Sequence, residues 1–438
     1  MKKLVMFLVV LALIVVPFAG CGPQAQQPPA ETEKPANTAQ PAETAAQEPD
    51  TEEPVSKEDV KIGVILIHDE NSGYDAAHIN GIREAAKATG IDEATQIIWK
   101  YNIPEDETCY DTAIDLVEQG CKYIFSDSYG HQSYMQQAAE ENPDVTFVAM
   151  TGDTAMLSGL PNFKNAFNFT FESRYVSGVV AGMKLAELIE QGKVTDKNKD
   201  EKGNIKIGYV GAYPYAEVVS GYTGFYLGIK SIVENVVMDV QYTNSWYDPT
   251  MEAEAAKALV SSGCIIIGQH ADSTGAPSAC EAMLESGTTV YCVGYNIDML
   301  KVAPKAALTS AQNDWSVYYT FALNCIINGE EIPTDWAKGY SEGAVKISAL
   351  GESCAPGTAE KVAEVEEALK NGTLHVFDTS KFTVNGEKVT SAMAIDTDGD
   401  FVPDSEEAIK DGIFYESTIR SAPYFGLRID GIRELNAG

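Results

Sequence analysis

Aromatic side chains recur in short polar segments of this sequence, directly after apolar, strand-like runs. Their flat faces can stack on a flat heterocyclic ring, and each stacked ring contributes about 1–3 kcal/mol in nucleic-acid systems. Any one of them can instead pack its own loop, because aromatic residues also fill protein cores. The residues concerned are Tyr74, Tyr129, Tyr213, Tyr215, Trp246, Tyr295 and Trp315.

Groups that donate or accept hydrogen bonds accompany the aromatic residues in the same segments. Carboxylates, amides and hydroxyls can hold ring nitrogens, exocyclic groups or sugar hydroxyls in a fixed geometry. With the backbone at Gly152, the set consists of Asp69, Ser126, Asp127, Ser128, Glu217, Gln269, His270, Asp272, Asn296, Asp298, Asn313 and Asp314. Together the two sets predict a binding pocket for a small, flat molecule, and no cofactor is expected.

Signatures of catalysis are missing from the sequence. It contains no Gly-x-Ser-x-Gly, no HExxH and no phosphate-binding loop. His270 could be a base or a metal ligand, but the chain has only five histidines and none at metal spacing from it. A hydrogen-bonding role is therefore favoured for His270. The carboxylates leave hydrolysis open as an alternative.

An acidic segment near the C-terminus has the carboxylate spacing of a calcium loop. Positions one, three, five, nine and twelve are Asp396, Asp398, Asp400, Asp404 and Glu407. Position six, where such a loop needs glycine for its tight turn, is Phe401. Calcium binding is thus an alternative to a solvated acidic turn, and the missing glycine favours the turn.

Residues 244–273 show how secondary structure would position the chemical groups. Asp248 suits the N-cap of a helix and Pro249 its first position, where a missing N–H costs nothing. Residues 264–267 are an apolar run typical of a buried parallel strand. The polar segment 268–273 follows at the carboxyl end of that strand, which is where open α/β sheets bind ligands.

Strand-like and helix-like segments alternate along residues 59–350. Short apolar runs are separated by segments with apolar residues at helical spacing. This alternation is typical of a parallel sheet with helices on both faces. The pattern runs once through about residue 167 and starts again near residue 205. We therefore predict an α/β protein with two doubly wound lobes.

The first 58 residues differ in composition from the rest. Residues 1–21 combine a basic start, a short apolar stretch and the ending Phe18-Ala19-Gly20-Cys21, as in a lipoprotein signal peptide. We expect Cys21 to carry a lipid; ordinary secretion with cleavage near Ala19-Gly20 is the alternative. Residues 22–58 are rich in Pro, Ala, Gln, Glu and Thr, so we expect a disordered tether.

Charge and cysteine content exclude some partners and bonds. The formal net charge of -33 argues against nucleic-acid binding, which needs a basic face. Seven cysteines follow Cys21, so at least one has no partner within the chain. Cys264 and Cys292 lie in apolar runs, where a thiol is usually a small core residue.

The segments Asn244-Ser-Trp-Tyr-Asp-Pro249 and Gln269-His-Ala-Asp-Ser273 carry a resemblance to known proteins. They are similar to the basic membrane protein (BMP) family of ABC-transporter substrate-binding lipoproteins, which includes the purine nucleoside receptors. The resemblance implies the type I periplasmic-binding-protein fold, with two Rossmann-like lobes joined by a hinge. We place lobe 1 at about 59–167 plus a late crossover segment near 298–325, and lobe 2 at about 168–297 plus part of 325–350. The end of the chain fits this fold least well, and we expect residues 351–438 to form a C-terminal extension packed on lobe 2.

The resemblance also implies a function. A monomer, anchored by lipid on the extracytoplasmic face of the cell membrane, would capture a purine nucleoside or free purine base between its lobes. It would deliver this small molecule to an ABC permease and would not be an enzyme. A ligand-responsive surface sensor on the same fold and a nucleoside hydrolase are the alternatives.

Some residues follow the family pattern and others depart from it. Asp298 stands where the purine nucleoside receptors have an aspartate that holds the ribose. The family's Asn/Asp-Lys-Ser-Phe-Asn element after the first strand is absent. Asn313-Asp314-Trp315 replaces the lysine often found after the last core strand. A free base such as adenine is therefore an alternative to a nucleoside.

Overall fold

The computed structural model describes residues 56–399 and 402–437. The expected signal peptide with Cys21, most of the expected tether, and Asp400 lie outside the described residues. Within the described part of the chain, no helix is both long and apolar enough to cross a membrane.

Strands and helices alternate along most of the described chain. The strands are β1 (Ile62–Ile65), β2 (Ile97–Lys100), β3 (Tyr123–Ser126), β4 (Thr146–Met150), β5 (Phe163–Asn168), β6 (Ile205–Gly211), β7 (Val236–Tyr242), β8 (Ile266–Gln269), β9 (Tyr291–Tyr295), β10 (Ala307–Asn313), β11 (Asp335–Lys338), β12 (Val345–Ile347), β13 (Met393–Ile395), β14 (Ser405–Glu407), β15 (Ile409–Lys410), β16 (Ile413–Phe414) and β17 (Ile432–Glu434). The helices are α1 (Gly73–Thr89), α2 (Glu93–Gln96), α3 (Glu107–Glu118), α4 (Gln132–Glu141), α5 (Ala155–Ser158), α6 (Thr170–Glu190), α7 (Ala216–Lys230), α8 (Pro249–Ser261), α9 (Gly275–Glu285), α10 (Trp315–Asn328) and α11 (Thr358–Lys370).

The first lobe is built on a six-stranded sheet with the order β11-β5-β4-β3-β1-β2. All its strand pairs are parallel, so the carboxyl ends of the strands lie at one edge. Helices α1 and α10 pack on one face, and α3 and α4 pack on the other. Because both faces are covered, β1 is buried along its whole length, which explains its continuous apolar sequence.

The second lobe is built on a seven-stranded sheet with the order β12-β10-β9-β8-β6-β7-β17. Its strands are parallel except for β12, which is an antiparallel edge strand. Helices α6 and α7 cover one face, and α8 and α9 cover the other. The predicted α/β architecture with two doubly wound lobes is confirmed.

In the described residues the chain passes between the lobes after β5, after β10 and after β11. The crossing segments are hydrogen-bonded to one another. Thr170 Oγ1 donates to Asn313 Oδ1 at 2.7 Å, and Asp314 N donates to Ala344 O at 2.8 Å. These bonds join the three crossings into one band between the lobes.

The predicted lobe boundaries need correction in the late crossover segment near 298–325. Strand β10 pairs with β9 and belongs to the second sheet, whereas α10 packs with α1 in the first lobe. The prediction that the whole segment lies in lobe 1 was wrong for its first half. A strand that ends in one lobe and a helix that begins in the other look like one continuous unit in the sequence.

The C-terminal extension, which begins at residue 351, contacts both lobes. Phe377 and other aromatic residues join the core of the second lobe, and β17 pairs with β7. On the first lobe, Ser421 donates two hydrogen bonds to the Asp335 carboxylate, from N and from Oγ. Arg420 Nη1 lies 3.3 Å from Asp153 Oδ2. The extension therefore spans the two lobes instead of packing on lobe 2 alone.

The seven cysteines of the described chain are free thiols, and six of them are buried. Cys264 and Cys292 are 1% and 2% exposed and belong to the core of the second lobe. Their prediction as small core residues is confirmed.

Helices α6 and α7 approach closely at two glycines. A Cβ atom placed at Gly178 would lie 2.2 Å from Phe225 O, and one at Gly228 would lie 2.2 Å from Tyr175 O. Such distances are far below a van der Waals contact and involve backbone atoms, which cannot rotate away. The close packing of the two helices therefore requires glycine at both positions.

We expect Gly178→Ala to lower the free energy of unfolding by about 1–3 kcal/mol, because the added methyl group forces the helices apart. Urea denaturation measures this change. Glu190→Ala, at the exposed end of the same helix, is the control and should shift the value by less than about 0.5 kcal/mol. Equal stability of Gly178→Ala and the parent protein would contradict the packing argument.

Candidate functional site

Loops, helix starts and strand ends at the carboxyl edges of the two sheets enclose a cavity. Its empty volume, which includes the space at its mouth, is about 380 Å³. The wall consists of Ile67, Tyr74, Ser128, Tyr129, Thr151, Glu217, Trp246, His270, Asp272 and Tyr295.

The wall contains many of the residues that the sequence predicts. The structure brings together Tyr74, Ser128, Tyr129, Glu217, Trp246, His270, Asp272 and Tyr295. The first three come from the first lobe and the others from the second. They meet because parallel strands place their carboxyl ends at one edge of each sheet, and these two edges face the same cavity.

Aromatic residues from the second lobe support one another at the cavity. Tyr213 stacks on Tyr215 with ring centres 5.2 Å apart, and its ring meets Trp246 edge-on at 5.1 Å. Tyr213 itself lies outside the wall, so its role is to hold Trp246. Tyr215 also approaches Tyr129 of the first lobe, with ring centres 6.2 Å apart.

The lobes touch directly beside the cavity. Gly73 N, at the start of α1, donates a hydrogen bond of 3.2 Å to Asp272 O in the second lobe. A Cβ at Gly73 would lie 3.1 Å from that oxygen and 3.4 Å from Ile297. Glycine thus permits the close approach that shuts this side of the cavity.

A buried glutamate organises the loop after β8. Asp248 caps α8 by accepting hydrogen bonds from Thr250 N and Met251 N. One turn later, the carboxylate of Glu252 accepts from Ser273 N at 3.2 Å and from Asp248 N at 3.2 Å. Burial raises the pKa of Glu252 to about 7. The contacts of Asp248 and Glu252 are structural, and they fix the loop that carries Asp272.

His270 and Glu217 form a polar pair in the wall. His270 Nε2 lies 3.3 Å from Glu217 Oε1, and it donates there because a carboxylate only accepts. Burial and the nearby cation of Arg174 lower the pKa of His270 to about 4, although Glu217 acts in the opposite direction. His270 is therefore neutral at neutral pH.

Arg174 lies behind the wall in α6 and is 1% exposed. Its guanidinium carbon is 3.6 Å from the centre of the Tyr295 ring, and Nη1 donates to Gln269 O. Arg174 Nε and Nη2 have no hydrogen-bond partner among the described residues. The buried cation fixes the Tyr295 ring and the loop after β8.

Two further carboxyl groups are buried beneath the first-lobe side of the cavity. Burial and the charge of Asp75 raise the pKa of Asp127 well above its usual range. The pKa of Asp75 is lowered, because hydrogen bonds from His68 and Ser72 outweigh its burial. Asp127 is therefore the protonated member of the pair. Its backbone carbonyl accepts the hydrogen bond of Tyr74 OH, which holds that ring in the wall.

Several predicted residues lie outside the wall. They are Asp69, Ser126, Asp127, Gly152, Tyr213, Tyr215, Gln269, Asn296, Asp298, Asn313, Asp314 and Trp315. Asp298 caps a short 3₁₀ turn by accepting from Leu300 N. Asp314 caps α10, and Trp315 points into the first lobe, where it stacks on His78 with ring centres 4.3 Å apart.

Sequence reasoning missed three residues of this region. Ile67 and Thr151 belong to the wall. Thr151 comes directly after β4 with a φ of 63°, so the rule that selected its neighbour Gly152 could have found it. Arg174 gave no signal, because only the folded chain shows that it stacks on Tyr295.

The acidic C-terminal segment gathers only part of the predicted calcium loop. Ligand oxygens of Asp396, Asp398 and Asp404 come within 4.8 Å of one another. The Glu407 carboxylate instead accepts hydrogen bonds from Ser391 Oγ and Ala392 N. Exposed carboxylates at such distances are also common in solvated turns, and calcium binding stays an untested prediction.

Comparisons with known proteins agree with this architecture. A protein from Brucella abortus named a purine-binding protein is 30% identical over 343 residues, which cover 76% of this chain and 89% of the relative. A protein from Haloferax volcanii, provisionally named an ABC transporter glucose-binding protein, is 31% identical over 260 residues, which cover 59% of this chain and 60% of the relative.

The chain also resembles a solved structure in fold and matches a family profile in sequence. An ABC transporter solute-binding protein from Conexibacter woesei superposes with a TM-score of 0.55 at 21% identity, covering 72% of this chain and 98% of that structure. This likeness concerns the fold. The profile described as ABC transporter substrate-binding protein PnrA-like (Bmp) matches residues 63–379. The chain therefore belongs to the Bmp family of substrate-binding proteins of ABC transporters.

Proposed function

We propose that this protein captures a purine, as the free base or a nucleoside, between its two lobes. The main support for this proposal is the cavity, which has aromatic residues from both lobes in its wall and carboxyl groups at its edges. Tyr74 and Tyr129 come from one lobe, and Trp246 and Tyr295 come from the other. A flat ring between them gains stacking contacts that a non-planar ligand lacks.

The polar groups of the wall suit a neutral, nitrogen-rich ring. Glu217 and Asp272 can accept hydrogen bonds from N–H groups, and Ser128 and Thr151 can both donate and accept. Among the described residues that form the wall there is no lysine or arginine. A ligand with a phosphate group would bring negative charge to this acidic wall without a cation to meet it, which disfavours nucleotides.

The similarity to the Brucella abortus protein, whose name states purine binding, supports this ligand class. The name of the Haloferax volcanii relative points to glucose, and sugars also stack on aromatic faces and bond to carboxylates. Purines are favoured because the wall has aromatic faces from both lobes, which suits a ring that is flat on both sides.

The proposal extends to transport. The family acts outside the cytoplasm as the receptor component of ABC transporters. We propose that Cys21 carries the lipid, that residues 22–58 tether the lobes to the membrane, and that the closed protein delivers its ligand to a permease. Binding followed by release requires no bond to be broken, so we propose no catalytic role for Glu217 or Asp272.

Isothermal titration of the full-length protein in mild detergent tests the ligand class, with adenine, adenosine, inosine, cytosine, glucose and an amino acid as probes. We expect binding by a purine base or its nucleoside. Trp246→Ala should weaken that binding by about 5- to 150-fold, because stacking contributes about 1–3 kcal/mol per ring.

Trp99→Phe is the matched control for the tryptophan variant, since Trp99 lies in β2 away from the cavity and should leave the affinity unchanged. Binding of glucose without any purine would reject the purine and support a sugar receptor. Chromatography of the recovered ligand would reveal hydrolysis if the protein were a nucleoside hydrolase.

The low pKa of His270 predicts a pH dependence of stability. The folded-state pKa of about 4 is below the ordinary value of 6.5 for an exposed imidazole, so protonation favours the unfolded chain. The stability that depends on the neutral imidazole of His270 is fully present above pH 6.5 and is lost as the pH falls towards 4. At about 1.4 kcal/mol per pKa unit it amounts to roughly 3 kcal/mol.

His270→Gln should therefore lack this part of the pH dependence. The measurement is the free energy of unfolding between pH 7 and pH 4, obtained by urea denaturation. The difference in the free energy of unfolding between the parent and His270→Gln should shrink as the pH falls. Trp99→Phe should show the same change of this free energy with pH as the parent. A constant difference between parent and His270→Gln would contradict the neutral, buried state of the imidazole.

Replacement of Cys21 tests the anchor. Cells that express the protein with a radiolabelled fatty acid should label the parent, and Cys21→Ala should lose the label. Cys354→Ser, which removes a half-buried thiol in the folded part, should keep it. Label retained in Cys21→Ala would place the lipid elsewhere, and an unlabelled parent would indicate ordinary secretion.

A further inference from the structure

Asp272 is held at the meeting point of the two lobes. Its N donates to Trp246 O at 2.8 Å, and its carbonyl accepts from Gly73 N across the cleft. Its carboxyl oxygen Oδ1 accepts a hydrogen bond of 2.7 Å from Asn296 Nδ2. The side chain lines the cavity, and its residue is only 8% exposed. The carboxyl group is therefore fixed in position before any ligand arrives.

The charged groups around Asp272 are mostly acidic. The charges of Glu252 in α8, Asp75 in α1 and Glu217 in α7 raise the pKa of its carboxyl group, and Arg174 of α6 is the nearby cation that lowers it. Arg174 is already engaged with the Tyr295 ring and Gln269 O. His270, the neighbouring wall residue, is neutral at neutral pH.

An ionised Asp272 would therefore be buried among other carboxylates without a paired cation. Burial disfavours the charged form of a carboxyl group, and nearby negative charge disfavours it further. Both effects raise the pKa of Asp272 well above its usual range, and the opposing effect of Arg174 is smaller.

We propose that Asp272 determines ligand specificity as a neutral carboxyl group, which offers one O–H donor beside one oxygen acceptor to the edge of the bound ring. This inference rests on the proposed binding of a nitrogen heterocycle and specifies the chemistry of its recognised edge. Asn296 donates to Oδ1, which makes Oδ1 the acceptor and leaves the proton on Oδ2.

A neutral carboxyl group selects ligands differently from a carboxylate. It pairs with a ring nitrogen acceptor next to an amino group, as in adenine, or with a ring N–H next to a carbonyl, as in hypoxanthine. A carboxylate has two acceptors and selects two adjacent donors, as in a cationic amidinium. The pocket should therefore bind neutral rings with one donor beside one acceptor and reject flat cations such as benzamidine.

Asparagine reproduces the neutral carboxyl group, because its amide offers one donor and one acceptor in nearly the same shape. For the full-length protein we expect Asp272→Asn to bind the same base within about threefold of the parent affinity. Asp272→Leu, which removes both groups, should weaken binding at least about tenfold. Asp92→Asn, at the N-cap of α2 far from the cavity, is the matched control for the acid-to-amide change.

Isothermal titration with adenine, hypoxanthine and benzamidine measures these affinities, and thermal unfolding verifies that each variant is folded. Similar weakening in Asp272→Asn and Asp272→Leu, or binding of benzamidine by the parent, would overturn the inference while leaving a binding protein in place. Failure of the parent to bind any heterocycle would instead reject the proposed ligand class.

Infrared spectroscopy tests the neutral state without a ligand. At neutral pH the difference spectrum between the parent and Asp272→Asn should contain the C=O stretch of a protonated carboxyl group. A carboxylate band in its place overturns the inference, whatever the ligand proves to be. This measurement separates a wrong protonation state from a wrong ligand class.

Discussion

Burial of carboxyl groups is the constraint on which the closed cleft depends. Asp75, Asp127, Glu252 and Asp272 are all at most 8% exposed, in a chain with a formal net charge of -33. Such groups persist only when hydrogen bonds compensate for lost water or when they take up a proton. Here backbone N–H groups, an amide and a histidine supply the bonds. The loops that line the cavity are therefore fixed by the same groups that make it acidic.

The fold provides the geometry in which this compensation is possible. Two parallel sheets place their carboxyl ends around one cavity, and three hydrogen-bonded crossings hold the lobes in register. Each wall residue lies at the carboxyl end of a strand, or in the loop or helix start that follows one. The wall is thus assembled from segments that lie far apart in the sequence but occupy equivalent places in the two lobes. Small changes in these loops can alter ligand choice without disturbing the sheets.

The sequence identified wall residues where a position just after a strand is enough to bring a side chain to the cavity. Trp246 and Asp272 follow buried strands, and the capping residue Asp248 and the apolar run before His270 marked their loops in advance. It failed where side-chain direction decides. Trp315 also follows a strand, yet as the first residue of α10 it turns into the first lobe and stacks on His78. The role of Arg174 could not be predicted, because its partner Tyr295 is distant in sequence. The short strands β11 and β12 contain too few residues to show a clear periodicity of apolar side chains.

The C-terminal extension has a consequence for the motion of the lobes. It is attached to the second lobe through β17 and to the first through Ser421 and Arg420, all beyond residue 379, where the match to the family profile ends. Separation of the lobes must break the contacts of Ser421 and Arg420 or bend the extension. The free energy of these contacts adds to the stability of the closed state, and ligand affinity scales with the population of the state that binds. Natural selection can therefore tune affinity through a segment that never touches the ligand.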